Sequence, residues 1–233
     1  MVKIGGLQKM TMIDYPGVIS ATVFLIGCNF KCGFCQNPEL ACPDLASGLS
    51  QISQDDFFKF LDERIELLEG ICITGGEPTI NSDLPKFIKK IKEKGFLAKL
   101  DTNGSNPKVL EKLINEKLVD FIAMDIKTSP EKYEKAINVK IDLKRIEAST
   151  ELIKDSGIDY EFRTTVVPGI VEKDDIIKIG EWLQGAKKFA LQQFQNKKVL
   201  DKNFEKIQPY TEEVLKEFKE TLEKYIERVE LRL

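Results

Sequence analysis

Histidine is absent from all 233 residues, which removes imidazole both as a metal ligand and as an acid or base working near neutral pH. Cysteine is sparse: there are five, an odd number, and three fall within eight residues. That spacing suits shared metal ligation better than paired disulfides and points to a reducing compartment. No apolar run is long enough to span a bilayer, since the longest, Val18 to Ile26, is broken by Ser20 and Thr22. A leader with a basic flank, apolar core and small-residue cleavage site is also missing, so a cytoplasmic protein without membrane association is expected. Neither sign of charge dominates. The 35 Lys and Arg stand against 38 Asp and Glu for a formal charge of -3, interspersed rather than in blocks, which leaves no electrostatic footprint for nucleic acid. Pro/Gly/Ser-rich linkers and internal repeats are lacking, so residues 1–233 are expected to form one domain, large enough to bury a core without disulfide staples.

What is present is a regular alternation. Runs rich in β-branched residues at Ala21 to Ile26, Ile71 to Thr74, Leu97 to Asp101, Val119 to Met124, Tyr160 to Val167 and Phe189 to Gln193 predict strands. Amphipathic segments around 57–68, 84–94, 108–116, 143–154, 173–183 and 212–225 predict helices, with Gly95, Gly157 and Gly185 as stop signals. Ser53 with Asp56 three residues later forms a capping-box pattern, and Asn106-Pro107 places a cap before a first-turn proline. About six βα units imply a parallel sheet with outer helices, either doubly wound or an incomplete barrel, and periodicity alone does not choose. The core is expected over about residues 18–195, with an irregular N-terminal segment, an irregular stretch over 195–210 and a C-terminal helical extension. In either architecture ligands gather at the carboxyl ends of the strands.

The strongest local signal is Cys28-Asn-Phe-Lys-Cys32-Gly-Phe-Cys35, directly after the first predicted strand. A zinc site would want a fourth nitrogen or sulfur ligand, and Cys42 is the one nearby candidate. A [4Fe-4S] cluster normally takes four cysteines, so three would leave one iron open to bind something else. Cys42 and Cys72 form no second Cys-x2-Cys pair, and no auxiliary cluster is expected.

Cys-x3-Cys-x-aromatic-Cys, with Phe34 as the aromatic, resembles the signature of radical S-adenosylmethionine (SAM) enzymes. Gly75-Gly76-Glu77-Pro78 after the second predicted strand is similar to that superfamily's element for holding the SAM amino group. More narrowly, Ile4-Gly5-Gly6-Leu7, Ile13-Asp14-Tyr15-Pro16-Gly17 and Cys35-Gln36-Asn37-Pro38-Glu39-Leu40 resemble activating enzymes of anaerobic ribonucleoside-triphosphate reductase and related glycyl-radical activases, such as those of pyruvate formate-lyase.

The resemblance implies an α/β fold built as a partial (β/α)6 TIM-like barrel, and one [4Fe-4S] cluster on Cys28, Cys32 and Cys35. It implies SAM chelated at the open iron, and reductive cleavage to methionine and a 5'-deoxyadenosyl radical that takes hydrogen from a glycine of a partner enzyme. An anaerobic ribonucleotide reductase is the expected partner, with flavodoxin or ferredoxin as electron donor. By the same resemblance Phe34 would stack on adenine, with Val167 and Pro168 lining the same slot. Asp101, Asn103 and Asp125 would contact ribose and the amino acid moiety, Lys127 and Arg163 the SAM carboxylate, and Asp101 a monovalent cation. Gln36 and Gln195 stand where many activases have histidine or another polar contact, so the pattern departs there. Read alone, Gly75 to Pro78 and Asp101 to Gly104 are ordinary turns, and Asp125 with Lys127 a surface ion pair. Two other functions fit the residues: a radical SAM enzyme acting on a small molecule or peptide, and a structural zinc-binding adaptor.

Overall fold

The computed structural model describes residues 2–42, 45, 48 and 50–233. The strands are β1 (Ile4–Thr11), β2 (Ser20–Leu25), β3 (Gly70–Gly75), β4 (Leu97–Thr102), β5 (Phe121–Asp125), β6 (Asp159–Val166), β7 (Lys188–Gln193) and β8 (Arg228–Arg232). They form one sheet in the order β1 to β8, with β1 antiparallel to β2 and every later pair parallel. A doubly wound sheet reverses its strand order at a switch point. This sheet never reverses, so it winds in one direction as a partial TIM-like barrel, with β1 and β8 as its edges.

The helices follow from sequence signals. They are α1 (Pro38–Ala41), α2 (Gln54–Asp62), α3 (Leu84–Glu93), α4 (Pro107–Asn115), α5 (Tyr133–Ile137), α6 (Lys144–Asp155), α7 (Lys173–Trp182) and α8 (Glu212–Leu222). Ser53 caps α2 by accepting from the Asp56 amide at 3.0 Å, as the capping pattern predicts. Asn106 instead turns its side chain outward from α4, donating to Thr79 Oγ1 at 3.1 Å and accepting from Arg145 at 2.8 Å. α3 shows the packing logic. Leu84, Phe87, Ile88 and Ile91 fall at helical spacing on one face, are all buried, and join Ile71 and Ile73 of β3 in the main core. Each such side chain contributes about 1.5–3 kcal/mol by leaving water.

Three expectations are corrected. The first twenty residues are irregular only in part, because Ile4–Thr11 pairs with β2 as an edge strand; its mixed exposure hides the alternation that would announce it. The helix expected over 57–68 runs Gln54–Asp62 and gives way to turns. The C-terminal helical extension stops at Leu222 and is followed by β8, where Val229 and Leu231 alternate with Arg228, Glu230 and Arg232 over only five residues.

Candidate active site

At the carboxyl ends of the strands the chain encloses a cavity of about 260 Å³. Its base is made by glycine. Gly75 adopts φ +127°, and a Cβ on it would lie 2.3 Å from the backbone of Leu25; on Gly76 a Cβ would lie 2.0 Å from the Gly27 carbonyl oxygen. The turn after β3 therefore packs backbone to backbone against the end of β2. The Gly76 amide donates to the Leu25 carbonyl at 2.9 Å and the Glu77 amide to the Gly27 carbonyl at 2.7 Å. This contact fixes the point where the cysteine loop begins.

The loop is fastened on its other sides as well. The Lys31 amide donates to the Ile137 carbonyl at 2.9 Å. Asn29 donates to Ser105 Oγ at 2.8 Å and accepts from the Asn103 side chain at 3.0 Å. Cys28, Cys32 and Cys35 all line the cavity as free thiols. Burial pushes the Cys28 thiol up to about 12 and the Cys32 thiol up to about 11, and raises Cys35 too, against a lowering by the Lys127 ammonium. The Phe30 amide approaches Cys28 Sγ at 3.3 Å.

Opposite the thiols lies a chain of alternating charges. Lys127 Nζ is 2.9 Å from Asp125 Oδ2, Arg163 Nε 2.9 Å from Asp125 Oδ1, and Arg163 Nη1 3.2 Å from Asp101 Oδ2. Lys99, almost fully buried inside the barrel, closes the far end on Asp101 Oδ1. Burial would raise both carboxyls, but Arg163, helped by Lys127 at Asp125 and Lys99 at Asp101, holds them below the usual range. Lys127 and Arg163 are correspondingly raised, their carboxylate partners overcoming desolvation. Both cations stay charged at any working pH.

The Glu77 carboxylate is 1% exposed and has no cation among its bonded partners. Oε1 accepts from the Thr79 amide (3.0 Å), Thr79 Oγ1 (2.5 Å) and Thr102 Oγ1 (2.7 Å), and Oε2 from the Asn103 amide (2.6 Å). Desolvation raises its carboxyl, with those four donors pulling the other way.

Of the residues singled out in the sequence, Phe34, Gln36, Gly75, Gly76, Glu77, Asp101, Asn103, Asp125, Lys127 and Arg163 line this cavity with the three thiols. Pro78 instead is buried with Thr79 in the 3-10 turn Pro78–Ile80 behind it. Gln195 enters only through its carbonyl, which accepts from Gln36 Nε2 at 3.1 Å. Val167 belongs to the core, and neither it nor Pro168 lines the cavity; the turn beginning at Val167, whose carbonyl accepts from Ile170 and Val171, carries them past it. Asp101 faces Lys99 and Arg163, side-chain cations occupying both its oxygens. Thr74, Thr165 and Gln192 also line the site. They sit near the ends of β3, β6 and β7, and that position is the one signal that marks them.

The donor set bears on which metal group fits. A single tetrahedral zinc would draw its thiolates to roughly 3.8 Å from one another at a Zn–S bond of about 2.3 Å. Among the described residues no three Cys, Asp or Glu side chains are gathered around such a point. A [4Fe-4S] cluster takes one thiolate per iron and needs the sulfurs spread. Three thiols around one cavity, with Lys127 beside them to offset anionic charge, fit the cluster.

The chain matches the radical SAM superfamily over residues 22–183. It is 34% identical over 235 residues to a Methanocaldococcus jannaschii protein provisionally named glycyl-radical enzyme activating enzyme, with 98% of this chain and 95% of that one aligned. To the pyruvate formate-lyase-activating enzyme of Streptococcus mutans it is 32% identical over 201 residues, covering 79% of this chain and 74% of that one. Among solved structures it shares its fold with Streptococcus suis SuiB bound to S-adenosylmethionine (TM-score 0.63, 14% identity, 92% of this chain). It likewise shares its fold with TYW1 carrying a lysine-pyruvate adduct (TM-score 0.60, 16% identity, 89% of this chain and 75% of that one). It spans 46% of the SuiB chain. Among the described residues no helix is long and apolar enough to cross a membrane.

Proposed function

The chain belongs to the radical SAM superfamily and, within it, to the glycyl-radical enzyme activating enzymes, and on that premise we propose that it installs a glycyl radical in an anaerobic ribonucleotide reductase. The protein is an enzyme whose cofactors are SAM and a [4Fe-4S] cluster. The cluster, when bound and reduced, supplies the electron that cleaves the SAM sulfonium.

The residue roles follow from chemistry. Cys28, Cys32 and Cys35 hold the cluster. Lys127 and Arg163, charged at any working pH, bind the SAM carboxylate, Asp101 holds Arg163 in place for it, and the carbonyls of the Gly75–Gly76 turn accept from its amino group. Glu77 acts on that turn from behind: it accepts from the Thr79 amide and hydroxyl, the Thr102 hydroxyl and the Asn103 amide, so it sets the shape of the amino-group site. Asn103 and Gln192 offer polar groups to ribose, and Phe34 an apolar surface to the base. Gln36 and Gln195 hold the loop rim through one hydrogen bond.

The observation that carries this reading is the meeting of three thiols with Lys127 and Arg163 in a single cavity at the strand ends. The 233 residues work as one catalytic domain on a protein substrate, with a reduced flavodoxin or ferredoxin as donor. Anaerobic reconstitution with iron and sulfide, reduction, and assay of SAM cleavage test the chemistry, with Cys32→Ala as control. Mixing with an anaerobic ribonucleotide reductase should then give a glycyl-radical electron paramagnetic resonance signal. SAM cleavage without that signal would reject the partner and keep the chemistry.

A further inference from the structure

Gly33 lies between the second and third thiols and has no positive φ, so its backbone conformation does not itself call for glycine. Its neighbour does. A Cβ on Gly33 would come within 2.4 Å of Phe204 Cε2 and 3.0 Å of Cδ2. Phe204 stands in the 3-10 turn Lys202–Lys206, in the segment that follows β7, and its ring lies 6.0 Å from that of Phe34 at 55°. The same segment meets the cysteine loop three more times. The Asp201 amide donates to the Gly33 carbonyl at 2.9 Å, Gln36 donates to the Gln195 carbonyl at 3.1 Å, and Lys198 pairs with Glu39 at 2.5 Å. Lys198 is exposed, so its pair adds little. The ring in the glycine notch and the backbone bond beside it form the fixed part.

We propose that Phe204 is a positioning residue for the cluster: its ring fills the notch at Gly33 and clamps Cys32 and Cys35 in their places, closing the outer side of the loop to water and oxygen. The proposal rests on the iron-sulfur reading above. Glycine is required at 33 because the ring occupies the space a side chain would take, and a ring is required at 204 because Phe34 presents an aromatic face to it.

The test is a double-mutant cycle on the full-length protein, comparing wild type with Phe204→Ala, Gly33→Ala and the double variant. Two quantities are read: the decay of cluster absorbance in air after anaerobic loading, and hydrogen exchange of residues 28–37 before and after loading. Phe204→Ala and Gly33→Ala should each speed both by roughly tenfold while the melting temperature stays near wild type. The double variant should be no worse than Phe204→Ala alone, because the added methyl then has room. Phe204→Tyr should restore most of the protection, and Phe204→Leu, which keeps apolar volume without a ring, should fall between. Unchanged exchange and cluster decay in Phe204→Ala would overturn the clamp, as would singles whose effects multiply in the double variant. A wild-type protein that takes up no cluster would count against the iron-sulfur reading instead, and exchange in the unloaded chain would still decide whether Phe204 holds the loop.

Discussion

The Glu77 carboxylate accepts a 2.6 Å hydrogen bond from the Asn103 amide, fastening the turn after β3 to the end of β4 through a buried charge that has no cation among its bonded partners. Glu77→Gln keeps the shape but turns an amide N–H toward a backbone N–H that needs an acceptor. The loss should be about 1–3 kcal/mol of stability, the cost of one unsatisfied buried donor, with SAM binding weakened by more than tenfold as the Gly75–Gly76 turn loosens. Urea unfolding and SAM titration measure both, and a variant with wild-type affinity would show that the turn holds its shape without the carboxylate.

Arg163 joins Asp101 and Asp125 at 3.2 and 2.9 Å, so its removal leaves two largely buried carboxylates sharing only Lys99 and Lys127. Arg163→Met should destabilise the fold by about 3–5 kcal/mol. Arg163→Lys keeps the charge without the fork and should recover part of the stability but little of the SAM affinity. If lysine restored SAM binding fully, charge alone would matter and the bridging geometry would not.

The cysteine loop and the strand-end polar residues were legible in the sequence because ligand chemistry fixes their types and spacing. Cys28, Cys32, Cys35, Asp125 and Lys127 are a few residues apart within continuous motifs, and the parallel βα pattern places them at one end. β1 and β8 were not read from the sequence: β1, with three of its eight residues exposed, carries no clean apolar period, and the Val229/Leu231 alternation of β8 is only five residues long and follows closely on a helix. The structural duty of Glu77 also escaped, since Thr79, Thr102 and Asn103 reach it from two separate turns. Phe204 lies 171 positions from Gly33, and nothing local to either residue announces that they touch.

Glu161 makes stability depend on acid. Burial pushes its carboxyl up, but Arg232, bonded through both terminal nitrogens at 2.9 and 2.7 Å, outweighs that and leaves it below the usual range. A carboxyl lowered in the folded state binds its proton less tightly there than when unfolded. Its contribution is present above the unfolded value of about 4.3 and is lost as pH falls through the folded one. Asp101 and Asp125 act in the same direction, and Glu77, raised by burial, acts oppositely. The urea midpoint should therefore drop as pH falls below about 4, and Glu161→Gln should cost about 2 kcal/mol at neutral pH and flatten that drop. An equally steep decline in the variant would place the acid sensitivity elsewhere.

Cys42 and Cys72 provide the contrast that tests the proposed ligands. Cys72 is fully buried within β3, its sulfur 3.7 Å from Lys99 Nζ, and Cys42 follows α1 as its C-cap; neither lines the cavity. The double variant Cys42→Ala/Cys72→Ala should bind one cluster per chain with an unchanged spectrum and cleave SAM as wild type does. The Cys72 change should cost on the order of 1 kcal/mol for the cavity left in the barrel. Any one of Cys28→Ala, Cys32→Ala or Cys35→Ala should abolish the cluster while the far-ultraviolet circular dichroism of the fold persists, because the loop is also tied through Asn29, Lys31 and Gly27. Iron and sulfide analysis separates the cases. Loss of iron in the Cys42 and Cys72 variant would mean that a fourth thiolate takes part, and a closed four-thiolate cage would leave no iron for SAM.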